Sequence, residues 1–223
     1  MFQEVTVEHE GEVLQGHISS GDHVKAWIIF AHGSGSSRKS KRNNWVATQL
    51  NQQGFGTLLF DLLTVEEDRV HQNRFNIPML AERLLAATRW LIKSSFYKGM
   101  PIGYFGASTG AAAALMATAE ADRHWPIYAI VSRGGRPDLA GTEFLREVFA
   151  PTLLIVGSQD GEVIKLNEKA KMELPDSRLV LVQGATHLFE EPGALDEVMR
   201  LSGNWFSSHL EKRTSHSQEG AYL

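Results

Sequence analysis

"GYFGASTGAAAALM", residues Gly103–Met116, joins an apolar, strand-like run to a run of alanines through a serine with glycines two positions to either side. The strand Ile102–Phe105 has to stop and turn sharply into a helix beginning near Thr109, which leaves Ser108 at the apex, held out above the sheet. Glycines at 106 and 110 remove the β carbons that would collide in so tight a turn. Alanines 111–114 give the helix a short side-chain face, so that it can lie close on the sheet. A strand, a tight turn and a helix in this order form one unit of an α/β fold.

The same alternation runs outward in both directions. Strand-like runs are read at Ala26–Ala31, Thr57–Phe60, Ile102–Phe105, Ile127–Val131, Leu153–Val156 and Leu179–Val182, nearly all apolar, as strands covered on both faces should be. Helices are expected near Asn43–Gln53, Pro78–Ser95, Thr109–Arg123, Val163–Met172 and Leu195–His209. In the second of these, Leu80, Leu84, Leu91 and Ile92 lie close to one face, away from Glu82, Arg83 and Arg89. Parallel strands need crossover helices, so the pattern predicts a mostly parallel twisted sheet with helices on both faces. The Val5, Val7 alternation, Gly11 and the run Val13–Ile18 add an N-terminal antiparallel hairpin. A chain of 223 residues fits one domain, taken here as residues 1–210, with the polar tail 211–223 (EKRTSHSQEGAYL) expected to be disordered.

Composition narrows the chemistry. A net charge of −4 makes no electrostatic case for nucleic acid or an anionic membrane. The absence of cysteine excludes disulfides, thiolate metal sites and a cysteine nucleophile. No apolar run approaches the ~18 residues that suggest a membrane span. The acidic, alternating start MFQEVTVEHE does not read as a signal peptide, and a cytoplasmic location is expected. The nine histidines show no ligand-like clustering, so neither metal nor cofactor is implied. The oligomeric state is left open.

Ligands of such sheets sit at the carboxyl ends of the strands, and there the candidate residues gather. G-x-S-x-G between strand and helix is the context of a nucleophile elbow, although a glycine-rich turn with a capping serine would have the same letters. A serine hydroxyl needs a base to take its proton and an acid to orient that base. "PTLLIVGSQDGEVI" places Asp160 just past one later strand, where it could instead cap the next helix. "RLVLVQGATHLFEEP" places His187 just past another, where it could be a helix-entry histidine. "AHGSGSS" turns the chain after Ala31 so that the backbone N–H of Ser34, with that of Thr109, could receive the charge formed on a substrate carbonyl oxygen.

Together, HGSGS, GASTG, GSQDG and the GATH histidine, within Lys25–His209, resemble the α/β hydrolases of the dienelactone hydrolase-like group. That resemblance implies an α/β-hydrolase fold with a minimal cap. It also implies a serine esterase with Ser108, Asp160 and His187 as catalytic triad, acting on small-molecule esters, lactones or thioesters. True dienelactone hydrolases use cysteine where Ser108 stands, a departure that bears on the substrate and leaves the acyl-transfer mechanism intact.

Other readings stand beside it. "GSGSSRKS", Gly33–Ser40, nearly matches a phosphate-binding P-loop, with Asp61 ending the strand that would help hold magnesium, but Arg38 occupies the position that needs glycine. A hydrolase scaffold kept as a non-catalytic binding or sensor module is a further alternative. Arg133 and Arg136, after the strand ending at Val131, could pair with a substrate carboxylate or merely tie down a glycine-rich loop. The basic run Arg38–Arg42 reads as a solvated loop, and Asp61 as a loop cap. Residues 133–150 have room for one short helix, which predicts an open site.

Overall fold

In a computed structural model, which describes residues 1–219 and side chains through Arg213, the six unbroken apolar runs become six parallel strands. They are β3 (Ala26–Ala31), β4 (Phe55–Phe60), β5 (Ile102–Ala107), β6 (Ile127–Arg133), β7 (Thr152–Gly157) and β8 (Ser177–Val182). The N-terminal alternation forms β1 (Phe2–His9) and β2 (Glu12–Ser19), an antiparallel hairpin whose turn residues Glu10 and Gly11 both take positive φ. β2 pairs antiparallel with β4, and the eight strands run in the order β1-β2-β4-β3-β5-β6-β7-β8. β5, with Ser108 at its end, therefore lies in the middle of the parallel set.

The helices are α1 (Lys41–Gln52), α2 (Val65–Asp68), α3 (Ile77–Lys93), α4 (Thr109–Glu120), α5 (Thr142–Glu147), α6 (Gly161–Glu173) and α7 (Ala194–Glu219). They divide over two apolar layers. On one face Leu84 and Leu91 of α3 and Ala113 and Ala117 of α4 pack with Ile29 and Tyr104. On the other, Leu50 of α1 and Val198 and Phe206 of α7 pack with Ile28, Phe105 and Val131. β3–β7 are buried on both sides, which explains why they read as apolar without alternation, while β8 at the sheet edge is only partly covered. Among the described residues no helix is long and apolar enough to cross a membrane.

Two departures from the sequence reading matter. Residues 61–76, expected as plain connection, hold α2 and a 3-10 turn (His71–Phe75). Thr64 and Glu67 close a capping box around α2, and Glu67 also grips Arg83 of α3 at 2.8 Å. This connection will form a wall of the site. The tail expected to be disordered continues as helix through Glu219, while 220–223 lie outside the described residues. The stretch anchored to the core carries buried Phe206 and half-buried Leu210. Good helix formers at Glu211, Lys212 and Arg213 extend it, and the first helix-breaking residue beyond is Gly220. Between β6 and β7 a 3-10 turn and the six-residue α5 intervene, so this connection holds no lid-sized insertion.

Candidate active site

Ser108 sits between β5 and α4 with φ 51° and ψ −120°. A side chain in that region is strained by about 1–3 kcal/mol, and the surroundings hold it there. The Ser108 N–H donates to the Arg133 carbonyl at 3.2 Å, and the Ser108 carbonyl accepts from the N–H groups of Ala111 (3.0 Å) and Arg136 (3.1 Å). A β carbon on Gly106 would overlap the backbone of Ala111, and one on Gly110 the carbonyl oxygens of Ala31 and His32. Both glycines are thus required by close approach. The Ser108 hydroxyl makes no cap bond to α4, so it is not a capping serine.

Asp160, in the turn after β7, precedes α6 but does not cap it either. Ser40, Thr64 and Asn76, in the equivalent positions of α1, α2 and α3, all do. The Asp160 carboxylate instead accepts a hydrogen bond from His187 Nδ1 at 2.6 Å. His187 comes from the loop after β8, and its Cε1 lies over Gly134, 3.5 Å from where a β carbon there would stand. Gly134 directly follows the residue whose carbonyl holds the Ser108 N–H. With Nδ1–H given to the carboxylate, Nε2 is left as an acceptor. Among the described residues no hydrogen bond joins Ser108 Oγ to the His187 ring, and such bonds commonly tighten only once substrate is bound.

The loop after β3 touches the serine directly. A β carbon on Gly33 would stand 3.0 Å from Ser108 Cβ. Thr109, the first residue of α4, carries one of the N–H groups that a helix start leaves without a carbonyl partner. Ser34, Gly35 and Thr109 line a small cavity closed by Leu62, Leu63 and Leu80. The loop is fixed by a residue that sequence reading treated only as a chain-turning one. His32 Nε2 accepts the Leu62 N–H at 3.0 Å, while its Nδ1 faces the Gly33 carbonyl at 3.0 Å. Only the neutral ring protonated on Nδ1 satisfies both, and burial pushes the His32 pKa down, in keeping with that form. The signal was present in the letters HG at a strand end, but its partner lies thirty residues on.

The two arginines have different surroundings. Arg136 is held by both oxygens of Asp138 at 2.9 and 2.7 Å, the tie-down alternative. Arg133 turns inward and is buried, without a carboxylate partner among the described residues, and its Nη1 is unsatisfied. Burial and then the neighbouring Arg42 bring its pKa down to about 10. The basic run is not a freely solvated loop. Arg38 donates to Asp61 through its backbone N–H (2.7 Å) and its guanidinium (2.6 Å), and Arg42 pairs with Glu190. Asp61 is consequently the anchor of Arg38 rather than a cap. His9, Glu10 and Glu82 bring possible metal-ligand atoms within 4.8 Å of one another. They gather at the β1–β2 turn, four strand positions from β5, roughly 19 Å at the usual spacing.

Residues 24–202 match the family model of the α/β hydrolase domain. The chain belongs to the α/β hydrolases. A crystal structure of a dienelactone hydrolase from Anabaena variabilis is 47% identical, covers 94% of this α/β hydrolase and 98% of its own chain, and superposes with a TM-score of 0.88. Est1E from Butyrivibrio proteoclasticus, 16% identical, covers 93% of this chain and 99% of its own at a TM-score of 0.78, a likeness of fold. Two curated Mycobacterium tuberculosis proteins, provisionally named phosphoribosyl transferases, are 51% identical over 209 residues. That match covers 93% of this chain but 46% of each relative, so the chain spans about half their length.

Proposed function

We propose that this α/β hydrolase is a serine hydrolase that cleaves small carboxylic esters, lactones or thioesters through an acyl-enzyme. The observation that carries the reading is Asp160 leaving its helix uncapped to bind His187 Nδ1, in a loop that arches over the backbone holding Ser108. Asp160 stands where a capping side chain is favoured, and its carboxylate turned to the imidazole instead supports a role in orienting that ring. Ser108 Oγ bonds to the substrate carbonyl carbon while its proton passes to His187 Nε2 and the carbonyl π pair moves onto oxygen. The N–H groups of Ser34 and Thr109 hold that oxyanion, each worth about 3 kcal/mol in the transition state. Collapse expels the leaving oxygen or sulfur, which takes the proton from Nε2, and water then repeats the sequence against the acyl-serine. Asp160 keeps the ring oriented and stabilises the imidazolium.

We assign no transferase or P-loop chemistry to this chain. The loop Gly33–Ser40 that would cradle phosphate is drawn against Ser108 at Gly33 and against Asp61 at Arg38. The test is labelling by a fluorophosphonate probe together with turnover of p-nitrophenyl acetate. Wild-type protein should react in both assays and Ser108→Ala in neither. A folded wild-type protein inert in both would leave a binding module on a hydrolase scaffold.

A further inference from the structure

The sheet order separates the two sides of the reacting carbon, and different loops line each of them. His187 and Asp160 arrive from beyond β8 and β7, on the β6 side of Ser108, while the loop after β3 and the connection after β4 stand on the other side. A tetrahedral carbon on Ser108 has four directions. One bond runs to Oγ, and the oxyanion faces the N–H groups of Ser34 and Thr109. The leaving group must face His187, from which it takes its proton. The acyl substituent is left with the direction away from the imidazole, toward the cavity that Ser34 and Thr109 share with Leu62, Leu63 and Leu80.

That cavity has a volume of about 10 Å³, which is the room of roughly one water-sized group. Its walls cannot retreat easily. Leu62 and Leu80 are 1% and 3% exposed, and the Leu62 N–H is fixed on His32. Arg74 lies over Gly35 with its guanidinium clamped by Asp68 at 2.8 Å through both Nε and Nη2. On the far side of Leu63 is a second cleft of about 150 Å³, which also touches His32 and Asp68 and is lined by Asp61 and Thr64. Leu63, His32 and Asp68 line both spaces; His32 is held by Leu62 and Asp68 by Arg74, which leaves Leu63 as the apolar side chain between them whose truncation would join the two.

We propose, resting on the serine-hydrolase reading, that the natural substrates are short-acyl esters or thioesters of the acetyl class, and that Leu63 sets this limit. One methylene too many for an apolar pocket lowers kcat/KM by about 10- to 200-fold. The alcohol or thiol side faces the loops after β6–β8 rather than this cavity, and Leu63 does not restrict it.

The experiment is an acyl-length series on one leaving group: p-nitrophenyl acetate, butyrate and octanoate. Wild-type kcat/KM should fall at least tenfold from acetate to butyrate and further to octanoate. Leu63→Ala should raise the butyrate-to-acetate ratio at least tenfold by opening the pocket into the neighbouring cleft. Leu63→Val, a milder truncation that keeps the fold if alanine does not, should move the ratio the same way by a smaller factor. Equal turnover of acetate and octanoate, or ratios unmoved in a folded Leu63 variant, would overturn the size limit while leaving the hydrolase intact. Failure of every ester, with no fluorophosphonate labelling, would remove both.

Discussion

Asp160→Asn separates the catalytic reading from the structural one. The carboxylate lies 2.6 Å from His187 Nδ1 and stabilises any imidazolium that forms there. Unit charges about 4 Å apart in a medium of effective dielectric ~20 interact by about 4 kcal/mol. The ring is 39% exposed, so solvent screens part of this, and about half is a fair allowance. Two kcal/mol corresponds to roughly a 30-fold loss of rate. Asparagine also has an N–H₂ that can donate to Nδ1, moving the ring proton to Nε2, where it blocks acceptance from Ser108. Such a tautomer error can bring the total loss to about 10⁴-fold. We therefore expect kcat/KM for p-nitrophenyl acetate to fall between these bounds. Because the Asp160 side chain caps nothing, the melting temperature should stay within about 2 °C of wild type, less than a lost cap would move it. A helix-capping role predicts the reverse, and near-normal turnover with a lowered melting temperature would refute the assignment.

Three further outcomes test the surroundings of the site. Ser108→Gly relieves the positive φ of 51° and should raise stability by about 1 kcal/mol while abolishing turnover; thermal melting and the ester assay read the two effects separately. Gly110→Ala forces a methyl into the Ala31 and His32 carbonyls and should cost about 3 kcal/mol, the upper end of overpacking, seen as a melting temperature lowered by roughly 6–12 °C. His32, whose pKa burial lowers, stays neutral in the folded state while the unfolded chain takes up a proton below the ordinary histidine value of 6.5. Stability is therefore full above that pH and declines as pH falls below it, and His17, also lowered by burial, acts in the same direction. His32→Gln should flatten the decline by up to about 1.4 kcal/mol per pH unit in urea titrations between pH 6.5 and 5, and an unchanged slope would contradict the neutral tautomer.

The sheet was legible because burial on both faces leaves a mark that needs no partner to read. Ala26–Ala31 is apolar throughout, and β3 occupies those same residues. The elbow was legible for a related reason: the steric demand at Gly110 comes from backbone, so only glycine meets it, whatever the neighbouring side chains are. What stayed hidden depends on pairs far apart in the chain. Arg38 looked like part of a solvated basic run because Asp61, its anchor, is twenty-three residues away. Arg133 and Arg136 looked equivalent, yet Asp138 neutralises one and the sheet swallows the other. The connection 61–76 has neither apolar periodicity nor a strand run, since a capping box and the Glu67–Arg83 pair shape it. It is that connection, through Leu62, Leu63 and the Asp68–Arg74 clamp, that narrows the cavity lined by Ser34 and Thr109. The turn at Ser108 was therefore set by local backbone constraint and could be read from the letters around it. The side chains that line the small cavity next to it meet only across the fold, and they required the fold to be seen.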